Sequence, residues 1–140
     1  MFEAQTEWIS PESFPDLKDH KYIAIDLETR DPNLKSKGSG ALINEGEIVG
    51  VAVAVEGWSG YYSFGHKEGN FFDEAVVMRW IKEVCALPNV KLFHNAMYDV
   101  CWLRAYGVKI NGHIVDTMVM ASLVDENRLW YSLNSLSIDY

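Results

Sequence analysis

The sequence has 140 residues, enough for one domain with a buried core. About half of the residues are apolar and 23% are charged, which is typical of a globular protein and excludes a disordered chain. The net charge of −8 excludes the broad basic surface of a free-standing nucleic-acid-binding protein, so nucleic-acid chemistry would need a local metal site or a basic partner domain.

The predicted elements alternate between strands and helices after a lead-in over residues 1–19. The predicted strands are residues 22–27, 48–55, 60–64 and 90–93, with a loop over 31–47 between the first two. The predicted helices are residues 70–86 with Asn70 as the N-cap, 96–106 closed by Gly107, 117–123, and one that begins at 132. Cys85 and Cys101 fall in separate helices and form no CxxC pair, so we expect reduced cysteines in a cytosolic protein.

Two acids at the end of the first strand, Asp26 and Glu28, are the strongest functional signal. Side chains alternate along a strand, so both carboxylates lie on one face, roughly 6–7 Å apart, while Ile25 and Leu27 face the other way. Like charges at this spacing favour a divalent cation between them, because hard cations take carboxylate oxygens as ligands. The alternative is a solvated strand end without a function.

The order of elements predicts an α/β domain with a ribonuclease-H-like fold, that is, a mixed sheet with a three-strand meander flanked by helices. A right-handed crossover places the strand at 90–93 beside the first strand. Asp99 follows that strand on the packed side of its helix, where an acid requires a partner. We therefore expect Asp26, Glu28 and Asp99 to converge at one edge of the sheet; a hydrogen-bonded structural role is the alternative for Asp99.

Two motifs resemble those of the 3′–5′ exonucleases of the DEDD, or DnaQ-like, superfamily. Asp26-Leu-Glu28-Thr29 resembles the first motif, and His94-Asn-Ala-Met-Tyr-Asp99 resembles the second. The proofreading domain of family A DNA polymerases of phages and bacteria is the nearest likeness, over residues 20–140. Its weaker marks are Gly65-His66 with Gly69-Asn70, Asp116-Thr117-Met118, and the segment 131–136.

The resemblance implies a hydrolase that releases nucleoside monophosphates from DNA 3′ ends with two divalent ions, Mg²⁺ or Mn²⁺. Asp26, Glu28 and Asp99 would be the catalytic metal ligands. Residues near the terminal nucleotide would be Thr29, Leu34, Asn95 and Tyr98. Asp116 resembles a family aspartate outside the catalytic set, for which we expect a helix-capping role.

The third motif of the superfamily, a tyrosine or histidine four residues before a fourth aspartate, has no counterpart. Ser135 lies four residues before Asp139, and His113 lies only three before Asp116. We therefore expect an exonuclease domain that is incomplete at its C-terminus and weak or inactive as these 140 residues. A truncated domain, a split gene and a domain that has lost catalysis all fit this departure.

The expected partners are a single-stranded DNA 3′ end and a DNA polymerase domain, in cis or as a separate chain. We expect no association with a membrane. The expected location is the cytoplasm of a bacterial or phage-infected cell. The longest apolar run, residues 48–55, is far too short to span a bilayer. Two alternatives remain: a degenerate, non-catalytic module that supports a polymerase, and a ribonuclease of the same superfamily. The sequence does not distinguish DNA from RNA as substrate.

Overall fold

The first strand lies at the centre of a five-stranded mixed sheet in the computed structural model, which describes residues 9–139. The strands are β1 (Tyr22–Arg30), β2 (Glu47–Val55), β3 (Trp58–Ser63), β4 (Val90–Phe93) and β5 (Ile114–Asp116). Their order in the sheet is β3-β2-β1-β4-β5. β1 and β2 pair antiparallel, as do β2 and β3, whereas β4 runs parallel to both β1 and β5. The predicted meander and crossover are confirmed.

Six helices accompany the sheet in this part of the chain: α1 (Leu34–Lys37), α2 (Gly40–Ile43), α3 (Glu74–Ala86), α4 (Ala96–Ala105), α5 (Thr117–Val124) and α6 (Leu133–Asp139). One face of β1 is buried through Ile23, Ile25 and Leu27. The apolar residues of α3 and α4 join the same core, so both helices cover this face. The outward face of β1 carries the acids.

The lead-in packs against the core through Phe14 and Leu17. Residues 1–8 lie outside the described residues, as does Tyr140 at the end of the predicted last helix. Phe14 stacks on Tyr62 with ring centroids 4.9 Å apart, and Leu17 is almost fully buried. Ser13 and Pro15 accept hydrogen bonds from the Tyr62 hydroxyl and the Trp80 indole. The sequence of this segment has no hydrophobic periodicity because the segment packs as irregular chain, without a helix or a strand.

Two local predictions are wrong, and one strand was not predicted. The predicted loop 31–47 contains α1 and α2, each of only four residues, too short to leave a periodic signal. β5 was not predicted, because its three residues cannot show an alternating pattern. Asn70 does not cap α3: Asp73 does, accepting a hydrogen bond from the Val76 amide. Asn70 instead exchanges two hydrogen bonds with the backbone of His66.

The other helices match the predictions closely. Gly107 follows α4 with a φ of 72°, the left-handed conformation expected after a helix end.

Cys85 and Cys101 are both free. Within residues 9–139, no helix combines the length and apolarity needed to cross a bilayer.

Lys91 is a buried cation that joins three chain segments beneath the sheet. Its side chain is fully buried in β4. Its ammonium donates to the backbone carbonyls of Leu87, Asn89 and Asn111, at 2.6, 2.9 and 3.1 Å. The cation therefore ties the end of α3 and the approach to β5 to β4.

We expect Lys91→Met to lower the free energy of unfolding by about 2–5 kcal/mol, because three part-buried backbone carbonyls lose their charged donor. Urea denaturation measures the change. Lys109→Met makes the same substitution at an exposed position and is the control. Equal stabilities for the two variants would contradict a structural role for the Lys91 ammonium.

Candidate active site

Asp26 and Glu28 lie on the outward face of β1, as predicted. Both are exposed to solvent, and they alternate with the buried side chains of Ile25 and Leu27. A bulge follows directly, because Glu28 pairs with Gly50 whereas Thr29 pairs with Ile48. The extra residue on β2, Val49, increases the twist of the two strands directly after Glu28.

Asp99 reaches this edge of the sheet from the first turn of α4. Only 3% of the residue is exposed, and its Oδ1 accepts a hydrogen bond from the Leu27 amide at 3.2 Å. Burial first, and then the charge of Asp26, raise the pKa of the Asp99 carboxyl to about 7. Two acids distant in sequence are therefore close enough to repel each other.

His94 lies close enough to Asp26 to affect the pKa of its carboxyl. The protein around Asp26 excludes enough water to raise the pKa of this otherwise exposed carboxyl, and His94 opposes that rise. The imidazole is held on both sides: Nδ1 lies 2.9 Å from the Thr117 hydroxyl, and Nε2 donates to the Tyr131 carbonyl at 2.8 Å. Asp26 and His94 both line a cavity of about 530 Å³ on the outward face of the sheet.

The site contains only part of what a metal centre needs. Across the described residues, no three or more His, Cys, Asp and Glu side chains are grouped to hold a metal ion. Glu28 faces a second cavity, which it shares with His66, instead of the cavity that Asp26 lines. The donors nevertheless fit a hard divalent cation, because they are all carboxylate oxygens and because Asp26 and Asp99 repel each other without one.

Thr29 and Tyr98, two predicted substrate-binding residues, are brought together. Their hydroxyl groups lie 2.7 Å apart, and the Tyr98 hydroxyl donates to Asp31 Oδ2 at 3.1 Å. The Gly40 amide donates to the same oxygen. This chain of hydrogen bonds ties α4 to the end of β1 and to the first residue of α2.

Leu34 and Asn95, the other two predicted substrate-binding residues, are exposed on different elements. Leu34 begins α1, with 42% of its surface accessible. Asn95 precedes α4 in the left-handed conformation, with a φ of 67°. Asparagine tolerates this conformation better than most residues, and such geometry is found at ligand-binding positions. A role for either residue at the terminal nucleotide stays a prediction.

Asp116 has the capping role expected of it, at two helices instead of one. Its carboxylate accepts hydrogen bonds from the amides of Met118 and Val119 in α5, and from those of Asn95 and Ala96 at the start of α4. Burial raises the pKa of Asp116, but these backbone donors outweigh that effect and lower it. Asp116 therefore sets the entry of α4, the helix that carries Asp99.

Sequence reasoning missed two neighbours of the site. Asp31 follows β1 and precedes Pro32, so it had the appearance of a turn residue, and nothing in the sequence links it to Tyr98. His94 was noted only as the first residue of a motif. Its position directly after the buried strand β4, beside β1, was the signal that could have placed it next to Asp26.

The family assignment comes from comparison with known proteins. A sequence profile described as 3′–5′ exonuclease matches residues 4–140. The chain belongs to this 3′–5′ exonuclease family. Two phage relatives of the exonuclease domain are a DNA-directed DNA polymerase of Pseudomonas phage M6, 27% identical, and the DNA polymerase DpoZ of Salmonella phage PMBT28, 28% identical. The matches cover 94% and 91% of this chain, but only 21% and 18% of the relatives.

Solved structures confirm the fold of the exonuclease domain. The POL domain of Pol1 from M. smegmatis, in complex with DNA primer-template and dNTP, superposes with a TM-score of 0.58 over 88% of this chain and 19% of that chain, at 19% identity. NrnC from Brucella melitensis, bound to pGG, gives 0.60 over 87% of this chain and 54% of that chain, at 17% identity. The ribonuclease-H-like sheet flanked by helices is therefore confirmed, and identities this low bear on the fold alone.

The raised pKa of Asp99 makes stability depend on pH. Between the ordinary aspartate pKa, about 4, and the folded-state pKa of about 7, the folded protein keeps a proton that the unfolded chain releases. We therefore expect the free energy of unfolding to fall as pH rises through this window, by up to about 1.4 kcal/mol per pH unit. Urea denaturation in metal-free buffer measures it.

Asp99→Asn is the matched variant for this test, because it keeps the shape of the side chain without its titration. Its stability should change much less between the two pH limits. An identical pH dependence in both proteins would show that Asp99 does not titrate in this range.

Proposed function

We propose that this chain is a 3′–5′ exonuclease domain that hydrolyses phosphodiester bonds at DNA 3′ ends, as the proofreading part of a DNA polymerase. The observation that carries the proposal is the coupled pair of acids, Asp26 and Asp99, at the edge of the sheet where β1 meets α4. Family membership and the phage polymerase relatives support this assignment. The chain spans about a fifth of those relatives, so a polymerase partner, in cis or as a separate chain, is part of the proposal.

Asp26, Glu28 and Asp99 are the proposed ligands of two divalent cations, Mg²⁺ or Mn²⁺. Such ions supply positive charge at the scissile phosphate and lower the pKa of a bound water. The protein contributes the orientation of the carboxylates: the Leu27 amide holds Asp99, and β1 directs Asp26 and Glu28 to the same face. Thr29 and Tyr98, joined by their hydroxyl groups, are proposed to border the terminal nucleotide.

A fourth acid and a water-positioning tyrosine or histidine are proposed to come from polypeptide outside these 140 residues. Large apolar side chains that are exposed on α5, α6 and the segment between them support this proposal: Val119, Met120, Leu123, Val124, Leu129, Trp130, Leu133 and Ile138. Leu133 lines the same cavity as Asp26. Apolar side chains exposed in such number are typical of a site of interaction with another protein segment.

We expect Mn²⁺ to bind to the wild-type chain and Asp26→Ala to weaken that binding at least about tenfold, because Asp26 is the acid coupled to Asp99. Isothermal titration calorimetry measures both affinities. Asp19→Ala removes an exposed carboxylate outside the site and should bind like the wild type.

Absence of Mn²⁺ binding by the wild type would instead favour a non-catalytic module that supports a polymerase. The absence of a complete ligand group among the described residues is the observation that favours this second candidate. Equal Mn²⁺ affinities for the wild type and Asp26→Ala would show that the metal binds elsewhere.

We expect the 140 residues alone to trim a DNA 3′ end weakly or not at all, several orders of magnitude below an intact domain, because a ligand and the water-positioning group are missing. Gel analysis of end-labelled single-stranded DNA and RNA, with Mg²⁺ or Mn²⁺, measures this rate. Efficient metal-dependent trimming that Asp26→Ala abolishes would contradict the expected weakness. Faster trimming of RNA would assign the domain to a ribonuclease.

A further inference from the structure

Tyr61 lies on the same face of the sheet as the acids. Asp26 pairs with Ala52 across β1 and β2, and Ala52 pairs with Tyr61 across β2 and β3, so the three side chains form one row. The middle residue, Ala52, carries only a methyl group and lines the same cavity as its two neighbours. Asp26 and Tyr61 line the same cavity, whereas Tyr62, the next residue, is buried in the core on the opposite face.

The phenol of Tyr61 leans towards Glu28 across a glycine. A Cβ atom on Gly50 would lie only 2.1 Å from the Tyr61 hydroxyl, so the ring occupies the space that any larger residue would fill. Gly50 is the cross-strand partner of Glu28. The Tyr61 hydroxyl therefore lies over Gly50, the residue that pairs with Glu28 on the neighbouring strand. Burial raises the pKa of the Tyr61 phenol, and the charges of Glu28 and Asp26 raise it further, so the phenol keeps its proton.

His66 holds the phenol in this position. Its Nε2 is hydrogen-bonded to the Tyr61 hydroxyl. The loop that carries His66 is itself fixed, because the Gly65 amide donates to the Val49 carbonyl and Asn70 pairs with the His66 backbone. When the imidazole proton is on Nε2, His66 donates to the phenol oxygen, and the phenol can donate its own proton to a bound group.

We propose that Tyr61 is a substrate-binding residue of the acid site, and that His66 and Gly50 position it. The inference rests on the proposed function and adds to it the group that contacts the terminal phosphodiester. The carboxylates of Asp26 and Glu28 repel a phosphate, so a neutral hydrogen-bond donor on the same face provides an attractive contact. Tyr61 donates to a non-bridging phosphate oxygen from the side of the site opposite α4.

The test compares Tyr61→Phe with Tyr62→Phe, which removes a hydroxyl from the same strand on the core side. Fluorescence anisotropy at low ionic strength measures the affinity for a short 5′-fluorescein single-stranded DNA, with Mn²⁺ and a cleavage-resistant 3′-terminal linkage. We expect Tyr61→Phe to bind this DNA about tenfold more weakly than the wild type, because one hydrogen bond to a charged group is lost. Its Mn²⁺ affinity and urea midpoint should not change, and Tyr62→Phe should bind DNA like the wild type.

Two variants of His66 test the positioning role. His66→Ala should weaken DNA binding as Tyr61→Phe does, whereas His66→Gln, which keeps a donor for the phenol oxygen, should restore much of the affinity. Equal DNA affinities for the wild type and Tyr61→Phe, including no binding by either, would overturn the proposal. If the wild type does not bind Mn²⁺, the proposed function is contradicted instead. Failure of the Tyr61 proposal and failure of the proposed function are therefore distinguishable.

Discussion

The hydrogen bond from the Leu27 amide to the buried Asp99 carboxylate is the interaction on which the site depends. It joins the central strand to the helix that follows the neighbouring strand, and it places a second acid beside Asp26. Burial and the neighbouring charge both disfavour the ionised form of Asp99, so the folded protein holds the site at a free-energy cost. A divalent cation would reverse this balance. The raised pKa, the expected pH dependence and the proposed metal binding therefore have one origin.

The regular part of the fold could be predicted because its elements bury apolar side chains with a clear period. β1 alternates over nine residues, and α3 presents one apolar stripe over thirteen, so both are visible in the sequence. β5 and the two short helices are not visible, because three or four residues cannot establish a period. The start of α3 was misplaced because Asn70 has a side chain typical of an N-cap, whereas Asp73, three residues later, caps the helix. Only the structure shows that Asn70 bonds to His66.

The candidate site could be predicted in part, for a related reason. Alternation along a strand placed Asp26 and Glu28 on one face, and the crossover rule brought Asp99 to the same edge. The contacts made by Asp31 and Tyr61 depend instead on how loops return to the sheet. Tyr61 reaches the acids only because Gly50 and Ala52, on a different strand, are small. No local pattern in the sequence records such a long-range condition.

The double cap by Asp116 also shapes the electric field around the acids. Each helix carries a partial positive charge at its N-terminus from the aligned peptide dipoles. The N-termini of α4 and α5 converge on this one carboxylate, so two partial positive charges oppose one full negative charge. Asp116 therefore adds little net negative potential to the edge of the sheet, although it lies close enough to Asp99 for its charge to raise the pKa of that acid. A polyanion that approaches this edge meets a weaker repulsion than the number of carboxylates implies.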